Sequence, residues 1–505
     1  MSKYNKIIES GLIFLIIFTP LAFGTVHTWS ITIMELTVLF LFLVWIFKIL
    51  FGASNAEVIT KNQKELSNSS ILHSKFSMSN NLLILSIILF LILLLFQLIP
   101  LPPDILKIVS PETYKIYSEY LPYEWPAQLS NPSSRDLFSQ WKTLSIYPYA
   151  TKTGLFKVLV YSIIFLLITS TISTKKQIKR FIKTIIFMSF LLALFGIIQK
   201  LTWNGGIYWF WKPEYGGDSF GPYVNRNHFA GYMIMVIPLT IGFLIFKLNE
   251  YSSASSDSSF LKRIAENERN IAKTFLLIFL IIIMVTALFL SLSRGGIMSF
   301  LISMVFLGIG LTITRRGRKK LWIVLMIAFL LIISLNWFGM KPIAKRLGSL
   351  QQITREELHN PRLEIWKDTL RISRDFPILG TGFNTFSHIF PKYKNLDRQL
   401  KFIYTENDYL QLLSETGLIG LAIALSFLVI FFIKTIKTWY GRHDIYVKSL
   451  VLGGLTSLVA ILIHSFTDFN LHIPANALLF VIILALTYNL VNLKRTVKNK
   501  KSDAI

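Results

Sequence analysis

The sequence predicts an all-α membrane protein that crosses the bilayer about twelve times. Of its 505 residues 53% are hydrophobic and only 16% are charged, whereas soluble proteins carry about 25% charged residues. The mean hydropathy is accordingly high, at +0.55. The apolar residues are gathered in runs, most of which have the roughly 17–25 residues that a helix needs to cross about 30 Å of hydrocarbon.

Twelve apolar runs are predicted as spans. They cover residues 7–23, 31–50, 81–101, 153–172, 181–199, 229–246, 274–292, 296–314, 321–338, 417–433, 449–465 and 475–493. The first run follows Lys3 and Lys6 and resembles a signal peptide. No clear small-residue cleavage site follows it, and the next run begins within a few residues, so we interpret it as an anchor that is retained.

The distribution of basic residues predicts that both termini lie inside. The short inner segments include "KKQIKR" at 175–180, "RRGRKK" at 315–320 and "KRTVKNKK" at 494–501, and basic residues of short loops mark the cytoplasmic side. The net charge of +25 is therefore interpreted as topological, and no nucleic-acid partner is expected. The chain has no cysteine, which excludes disulfides and thiolate metal sites.

This topology divides the chain into three parts and places its chemistry outside. The parts are an N-terminal membrane bundle of spans 1–9 (1–338, with an outer loop at 102–152), a large periplasmic loop between spans 9 and 10 (339–416), and a C-terminal bundle of spans 10–12 (417–505). Leu363, Trp366 and Leu370 recur at helical spacing before Pro377. This pattern predicts an amphipathic helix in the large loop.

Ionisable residues inside the predicted spans lie near the span ends. They are Glu9, Glu35, Lys157 and Lys183. Proton- or ion-coupled transporters usually need a charged partner at the middle of the membrane. The sequence therefore argues against a secondary transporter.

Two polar clusters precede spans on the predicted outer face. In the first, Asn225, Arg226, Asn227 and His228 either cap a helix or donate hydrogen bonds to an anionic or sugar-bearing ligand. In the second, Arg294 lies in "SLSRGG" between two spans. It either extends toward lipid phosphate or grips a pyrophosphate with both arms of its guanidinium.

Two further clusters come from the large loop and the last turn between spans. The loop carries Arg362, Arg371 and Arg374, of which Arg362 follows Pro361 and is expected to point away from a solvated charged face. Glu406 and Asn407 precede the tenth span. His464, Asp468, Asn470 and His472 fall between the last two spans, at a spacing that fits no strong metal signature. They either belong to a ligand site or are helix caps and interfacial histidines.

These motifs together resemble the O-antigen ligase and O-antigen polymerase superfamily of bacterial envelope glycosyltransferases. The segments that carry the resemblance span most of the chain, with a family-like core at about 200–480. They are "PLAFGTVHTW", "FGPYVNRNHFAGYM", "SLSRGG", "PRLEIWKDTLRISRDFPILGTGFNTF", "NDYLQLLSETGLIG" and "HSFTDFNLHIPANALLF". Ligases and polymerases share these features, so the resemblance does not choose between them.

The resemblance implies a multi-pass enzyme of the bacterial inner membrane whose active site faces the periplasm. Such enzymes transfer a glycan from an undecaprenyl-pyrophosphate carrier to a glycan or lipid acceptor hydroxyl, with inversion and without a metal or other cofactor, to build lipopolysaccharide or exopolysaccharide. Membrane lipids and other polysaccharide-assembly proteins are further implied partners. Arg226, Arg294 and Arg362 would hold the pyrophosphate. The other implied substrate-binding residues are Asn225, Asn227, His228, Asn407, His464, Asp468 and His472.

The chain departs from the family at the proposed proton acceptor. Many members carry a histidine directly before the asparagine of the "N-x-x-L" segment, whereas this chain has Glu406 before Asn407. Glutamate either accepts the proton of an attacking hydroxyl, if burial raises its pKa toward neutrality, or only pairs with an arginine of the large loop. Asp408 is a rival carboxylate, but on a helix it points away from Glu406. Asn407 either orients a sugar hydroxyl or caps the helix. The alternatives are a lipid-linked glycan flippase or polysaccharide exporter, against which the apolar span centres argue, and a structural subunit of an assembly machine.

Overall fold

The computed structural model describes residues 3–52, 78–120, 141–213, 218–253, 260–313, 361–395 and 401–493. Its helices, numbered along the chain, are α1 (Lys3–Leu21), α2 (Thr28–Gly52), α3 (Met78–Phe96), α4 (Pro103–Val109), α5 (Pro111–Tyr120), α6 (Pro148–Thr171), α7 (Lys175–Leu201), α8 (Arg226–Ser253), α9 (Phe260–Leu290), α10 (Arg294–Thr312), α11 (Pro361–Asp375), α12 (Phe386–Tyr393), α13 (Asp408–Tyr440), α14 (Ile445–His464) and α15 (Pro474–Val491).

Helices occupy eleven of the twelve predicted spans. Within the described ranges, 10 helices are long and apolar enough to cross a membrane, and α3 contributes a shorter apolar segment, Leu82–Phe96. The predicted ninth span at 321–338 lies outside the described residues, as do 339–360 and 396–400 of the predicted loop. Helices suit a bilayer because they satisfy their backbone polar groups within the segment.

The third predicted span, 81–101, is too long at its C-terminal end. Helix α3 stops at Phe96, and Pro100–Leu101 instead forms a strand, β1, that pairs antiparallel with β2 (Lys142–Thr143). The side-chain nitrogen of Gln97 donates hydrogen bonds to the carbonyls of Leu379 (2.7 Å) and Glu415 (2.9 Å). These contacts draw the chain out of the helix and fasten it to the large loop.

Helix α8 forms the centre of the bundle. Every residue from His228 to Phe246 is buried, and α8 packs most extensively against α14. Helix α15 is also largely buried, whereas only a minority of the residues of α2 and α13 are buried. A helix that is apolar all round, such as α8, is stable only when protein or lipid surrounds it completely. The first polar turn of α8 is thereby held against the last helices of the chain.

Helix α13 is broken at Gly417, within the stretch that the sequence predicts as the start of a span. Gly417 has φ 63° and ψ −168°, a conformation that essentially only glycine adopts. The break frees two backbone N–H groups, those of Leu418 and Ile419. They donate to the carbonyls of Pro377 (2.8 Å) and Ile378 (3.3 Å) in the large loop. The break in the helix therefore serves as the docking point of the loop.

The predicted amphipathic helix of the large loop is confirmed as α11, but its buried face is not the predicted one. Leu370 is 44% exposed, whereas Ile365 and Ile372 are buried against α12 together with Phe376. The predicted buried face consists of Leu363, Trp366 and Leu370. In the structure Trp366 lies at the edge of the buried face, where its indole N–H donates to the carbonyl of Thr405 (3.0 Å).

We expect Gly417→Ala to destabilise the protein. A Cβ atom at residue 417 would lie 2.2 Å from the carbonyl carbon and oxygen of Ile378, and the backbone conformation itself costs about 1–3 kcal/mol for other residues. The apparent Tm of the purified protein should fall by several degrees. Gly441→Ala is the matched control, since its Cβ would meet only the Thr438 carbonyl at 3.8 Å. Equal Tm values for the two variants would contradict the proposed docking role of the break.

Candidate functional site

The turn between α14 and α15, residues 464–473, is the meeting point of the predicted site residues. The side-chain amide of Asn407 donates to the carbonyl of Phe466 (3.1 Å). The guanidinium of Arg362, on α11, donates to the carbonyl of Thr467 (3.2 Å). The turn thus brings the large loop and the start of α13 to one end of α14.

Asn407 begins α13 and fixes the position of the preceding residue. Its side-chain oxygen accepts hydrogen bonds from the backbone N–H groups of Tyr409 (3.0 Å) and Leu410 (3.1 Å). This is the capping interaction that the first turn of a helix requires, and it confirms the capping role considered for Asn407. Glu406, just outside the helix, has a positive φ of 58°. Its side chain is thereby turned away from the helix axis toward α11.

Glu406 pairs with Arg362. Oε2 of Glu406 lies 2.7 Å from a guanidinium nitrogen of Arg362, and both side chains are partly exposed. Burial raises the pKa of the Glu406 carboxyl above its ordinary value. The positive charge of Arg362 opposes this increase in pKa without cancelling it. The arrangement holds a carboxylate that can take up a proton more readily than one in water.

His228 and Asp468 form a buried pair beside Glu406. Nε2 of His228 lies 3.4 Å from Oδ1 of Asp468, and both side chains are almost completely buried. Burial by itself would raise the pKa of Asp468, but His228, His464 and Arg362 outweigh it and hold the pKa below its ordinary value. Asp468 therefore carries a negative charge next to Glu406, where it adds to the increase in the pKa of Glu406.

Arg294 reaches the same end of the bundle through the "SRGG" turn. The hydroxyl of Ser293 accepts from the backbone of Gly296 (3.3 Å) and donates to the side-chain oxygen of Asn227 (2.8 Å). A Cβ on Gly295 would lie only 2.6 Å from Oγ1 of Thr467 and 3.1 Å from the His464 ring. Glycine at 295 therefore allows the start of α10 to lie directly against the 464–473 turn.

Arg294 is exposed at that position. Within the described ranges, its guanidinium has no ion pair and no hydrogen bond. Arg226 differs, because its guanidinium lies 2.6 Å from the carboxylate of Asp218. Of the three arginines that the family resemblance implies for the pyrophosphate, Arg226 and Arg362 have carboxylate partners and Arg294 has none among the described residues.

The remaining predicted residues lie around this cluster in supporting positions. Asn225 accepts a hydrogen bond from the backbone of Asn227 (2.8 Å). Nδ1 of His464 lies 3.0 Å from the amide nitrogen of Asn470, and Nδ1 of His472 lies 2.8 Å from Oδ1 of Asp408. His464 is therefore buried against the turn, and His472 faces Asp408 rather than Glu406.

Sequence reasoning missed two carboxylates that complete these contacts. Asp218 was not considered, although it lies shortly before Arg226 in the chain. Asp408 was considered only as a rival of Glu406 that points the other way. It does point the other way, and it binds both His472 and the backbone N–H of Leu471 (3.2 Å). No spacing rule reveals these contacts of Asp408, because they join the start of α13 to the residues just before α15.

Taken together, the cluster can perform two chemical tasks. Glu406 can accept a proton, because its pKa is raised and its side chain is only 23% exposed. Arg294 can stabilise an anion at the same end of the bundle, because it is exposed and has no carboxylate partner among the described residues. A reaction in which a hydroxyl loses a proton while an anionic leaving group departs would use both groups.

Comparison with known proteins gives one finding for the whole chain and one for a segment. None of the curated proteins matches the chain. A family model described as O-antigen ligase matches residues 279–425. The matched segment includes α10, α11, α12 and the start of α13, and with them Arg294, Arg362, Glu406 and Asn407. Over residues 279–425 this match confirms the resemblance to O-antigen ligases that the motifs indicate.

Proposed function

We propose that the protein is a glycosyltransferase that moves a glycan from an undecaprenyl-pyrophosphate carrier to an acceptor hydroxyl at the outer face of the bacterial inner membrane. The O-antigen ligase segment supports a membrane enzyme that transfers glycans, and the apolar helices support a multi-pass membrane protein. The carrier, the inversion at the sugar and the periplasmic side are carried over from the family resemblance. Polymerase and ligase activity are both consistent with this assignment.

In the proposed reaction the acceptor hydroxyl oxygen attacks the anomeric carbon of the carrier-linked sugar. A new glycosidic C–O bond forms as the bond between that carbon and the pyrophosphate oxygen breaks. The electron pair of the broken bond leaves with the pyrophosphate, and the proton of the hydroxyl passes to Glu406. Placing a positive charge where the leaving-group charge grows is often the largest single contribution to catalysis.

The contacts of the three arginines suggest different roles for them. Arg294 is assigned to the pyrophosphate, because it is exposed and has no ion-pair partner among the described residues. Arg362 is assigned to the positioning of Glu406, with which it forms an ion pair of 2.7 Å. Arg226 is assigned to a supporting contact with the carrier. To form this contact it would release Asp218, whose side chain is 66% exposed.

One observation carries the proposal. A carboxylate with a raised pKa, Glu406, lies at the position where the family resemblance implies a proton acceptor, and it lies beside the buried His228–Asp468 pair. A structural ion pair alone would not need a second buried carboxylate, that of Asp468, next to it, since burying a charge is costly.

The direct test is transfer by the purified protein in liposomes. The measurement is release of undecaprenyl pyrophosphate together with the appearance of a glycan on an added acceptor. We expect both products in equal amounts. Movement of the intact carrier-linked glycan across the bilayer, without either product, would identify a flippase instead and would overturn the proposal.

The orientation can be tested with single cysteines, because the natural chain has none. Cysteine at Ser130 or Lys152 should react with a membrane-impermeant thiol reagent in intact cells. Cysteine at His443 or Lys498 should react only after the cells are opened. The reverse pattern would place the cluster in the cytoplasm, where the proposed carrier does not present its glycan for transfer.

A further inference from the structure

Two lysines from neighbouring helices lie over the same aromatic ring near the predicted inner face. Lys179 is in the second turn of α7, and Lys247 directly follows the buried stretch of α8. Their ammonium nitrogens lie 5.6 and 5.3 Å from the ring centre of Phe246. The face of the ring attracts both cations at these distances, but it leaves both charges in place.

The two ammonium groups also repel each other. The charge of Lys247 acts on Lys179, and so does that of Lys183, one turn further along α7. Glu250 acts on Lys179 in the opposite sense, but its carboxylate is ion-paired with Lys247. Three ammonium groups therefore share this one carboxylate. Such a group of like charges is unfavourable unless a further anion joins it.

Other basic side chains at the start of α7 have carboxylate partners of their own. Lys175 and Arg180 each lie 2.6 Å from a carboxylate oxygen. Among the described side chains, neither Lys179 nor Lys183 forms an ion pair. Lys183 is exposed and Lys179 is half-buried. These two lysines are therefore the charges that an external anion can reach.

An exposed apolar stripe continues from the lysines along α7. Phe187 lies four residues after Lys183, and it is followed at helical spacing by Leu191, Leu194 and Ile198. All four apolar side chains are exposed. Residues at this spacing lie on one face of a helix, and α7 is long and apolar enough to cross a membrane. This face of α7 thus has a cationic end and an apolar length, which suits a molecule with an anionic head and hydrocarbon chains.

We propose that the lysine cluster (Lys179, Lys183 and Lys247) binds the phosphate of an anionic glycerophospholipid, such as phosphatidylglycerol, whose acyl chains lie along the exposed stripe of α7. Phosphate oxygens accept hydrogen bonds from ammonium groups and offset the repulsion among them. Basic clusters at the cytoplasmic ends of membrane helices are suited to anionic headgroups for this reason. The cluster lies at the opposite end of α8 from Arg226, so the inference does not depend on the proposed transfer.

The absence of cysteine from the chain allows a site-specific test. Full-length protein with the single substitution Phe187→Cys is labelled with a fluorophore and placed in phosphatidylcholine nanodiscs. Phosphatidylglycerol with a spin-labelled acyl chain is then compared, as a quencher, with the phosphatidylcholine analogue at the same mole fraction. We expect phosphatidylglycerol to quench several-fold more strongly, because the cluster holds its headgroup one turn away from residue 187.

Ile433→Cys is the matched reporter on α13. Ile433 is 62% exposed and Phe187 is 60% exposed, and each lies four residues from an exposed lysine, Lys437 or Lys183. We expect a much smaller preference for phosphatidylglycerol at residue 433. An equal preference at the two positions would show only the general attraction of a basic surface for anionic lipid, and it would overturn the proposed site.

Lys179→Gln tests the cluster itself in the Phe187→Cys background. Loss of one lysine near a membrane surface should lower the preference for phosphatidylglycerol about fivefold. Lys183→Gln, at an exposed position, should lower it as well. Lys437→Gln removes the same charge from α13 and should leave it unchanged. Thermal unfolding in phosphatidylcholine establishes that each variant is folded. A parental preference in both cluster variants would contradict the proposal.

Thermal unfolding also separates a lipid from a free anion. Phosphatidylglycerol in the nanodisc should raise the apparent Tm of the parental protein, because a ligand that binds only the folded state stabilises it. The increase should be smaller for Lys179→Gln than for Lys437→Gln. Inorganic phosphate added to phosphatidylcholine nanodiscs should give no such increase. An equal increase with inorganic phosphate would assign the cluster to a free anion and overturn the lipid assignment.

Discussion

Glu406→Gln should lower the rate of glycan transfer by about 10²–10⁴-fold, the usual contribution of a positioned general base. Glutamine keeps the shape of the side chain and can still contact Arg362, but it cannot accept the proton of the attacking hydroxyl. Donor binding and protein abundance should stay at parental levels. Glu406→His should retain part of the activity, because imidazole can accept a proton at neutral pH.

The pH dependence follows from the direction of the pKa shift. Only the ionised carboxylate accepts a proton, so the rate should rise with pH through the raised pKa of Glu406 and then level off. Replacing Arg362 with glutamine removes the positive charge that lowers this pKa. The profile of Arg362→Gln should therefore shift to higher pH. A merely structural ion pair would give a loss of stability without any shift of the profile.

Glu112→Gln is the matched control for the loss of a carboxylate. Glu112 lies on α5 and pairs only loosely with Lys115, at 3.8 Å. Its replacement should leave the transfer rate unchanged. If Glu406→Gln also turns over at the parental rate across a pH series, the proton acceptor must be another residue. His464 and His472, which lie in the 464–473 turn, would then be examined.

Arg294→Ala should lower transfer by about 10²–10³-fold, as loss of one preorganised charge-stabilising donor does in other enzymes. The effect should appear mainly in kcat, because the charge on the leaving pyrophosphate is greatest in the transition state. Arg294→Lys should restore only part of the rate, since an ammonium group cannot reproduce the two parallel hydrogen bonds of a guanidinium.

Arg374→Ala provides the control for Arg294. Arg374 is an exposed arginine in the last turn of α11, so its replacement removes the same charge from the same protein. We expect parental rates. Full activity of Arg294→Ala at normal abundance would show that Arg294 only extends toward lipid phosphate, and the pyrophosphate role would pass to Arg226 or Arg362.

The sequence by itself determined the helical membrane class and supplied the candidate residues of the site. Runs of apolar residues indicate helices because, in lipid, a segment must satisfy its own backbone hydrogen bonds, and this is a local property. Caps are local as well, which is why Asn407 could be named as a candidate cap. The arginines, Glu406 and the polar turn were found because polar residues next to apolar runs stand out in composition.

The tertiary structure alone decided which of these residues contact one another. Arg362 binds Glu406 and Arg226 binds Asp218, whereas Arg294 has no carboxylate partner among the described residues. Composition alone does not distinguish these three arginines. The break at Gly417 is likewise invisible in an apolar run, since its cause is a loop segment, Pro377–Ile378, that supplies carbonyls to the freed N–H groups. Such contacts depend on how separate helices pack, and no residue spacing within a single helix encodes them.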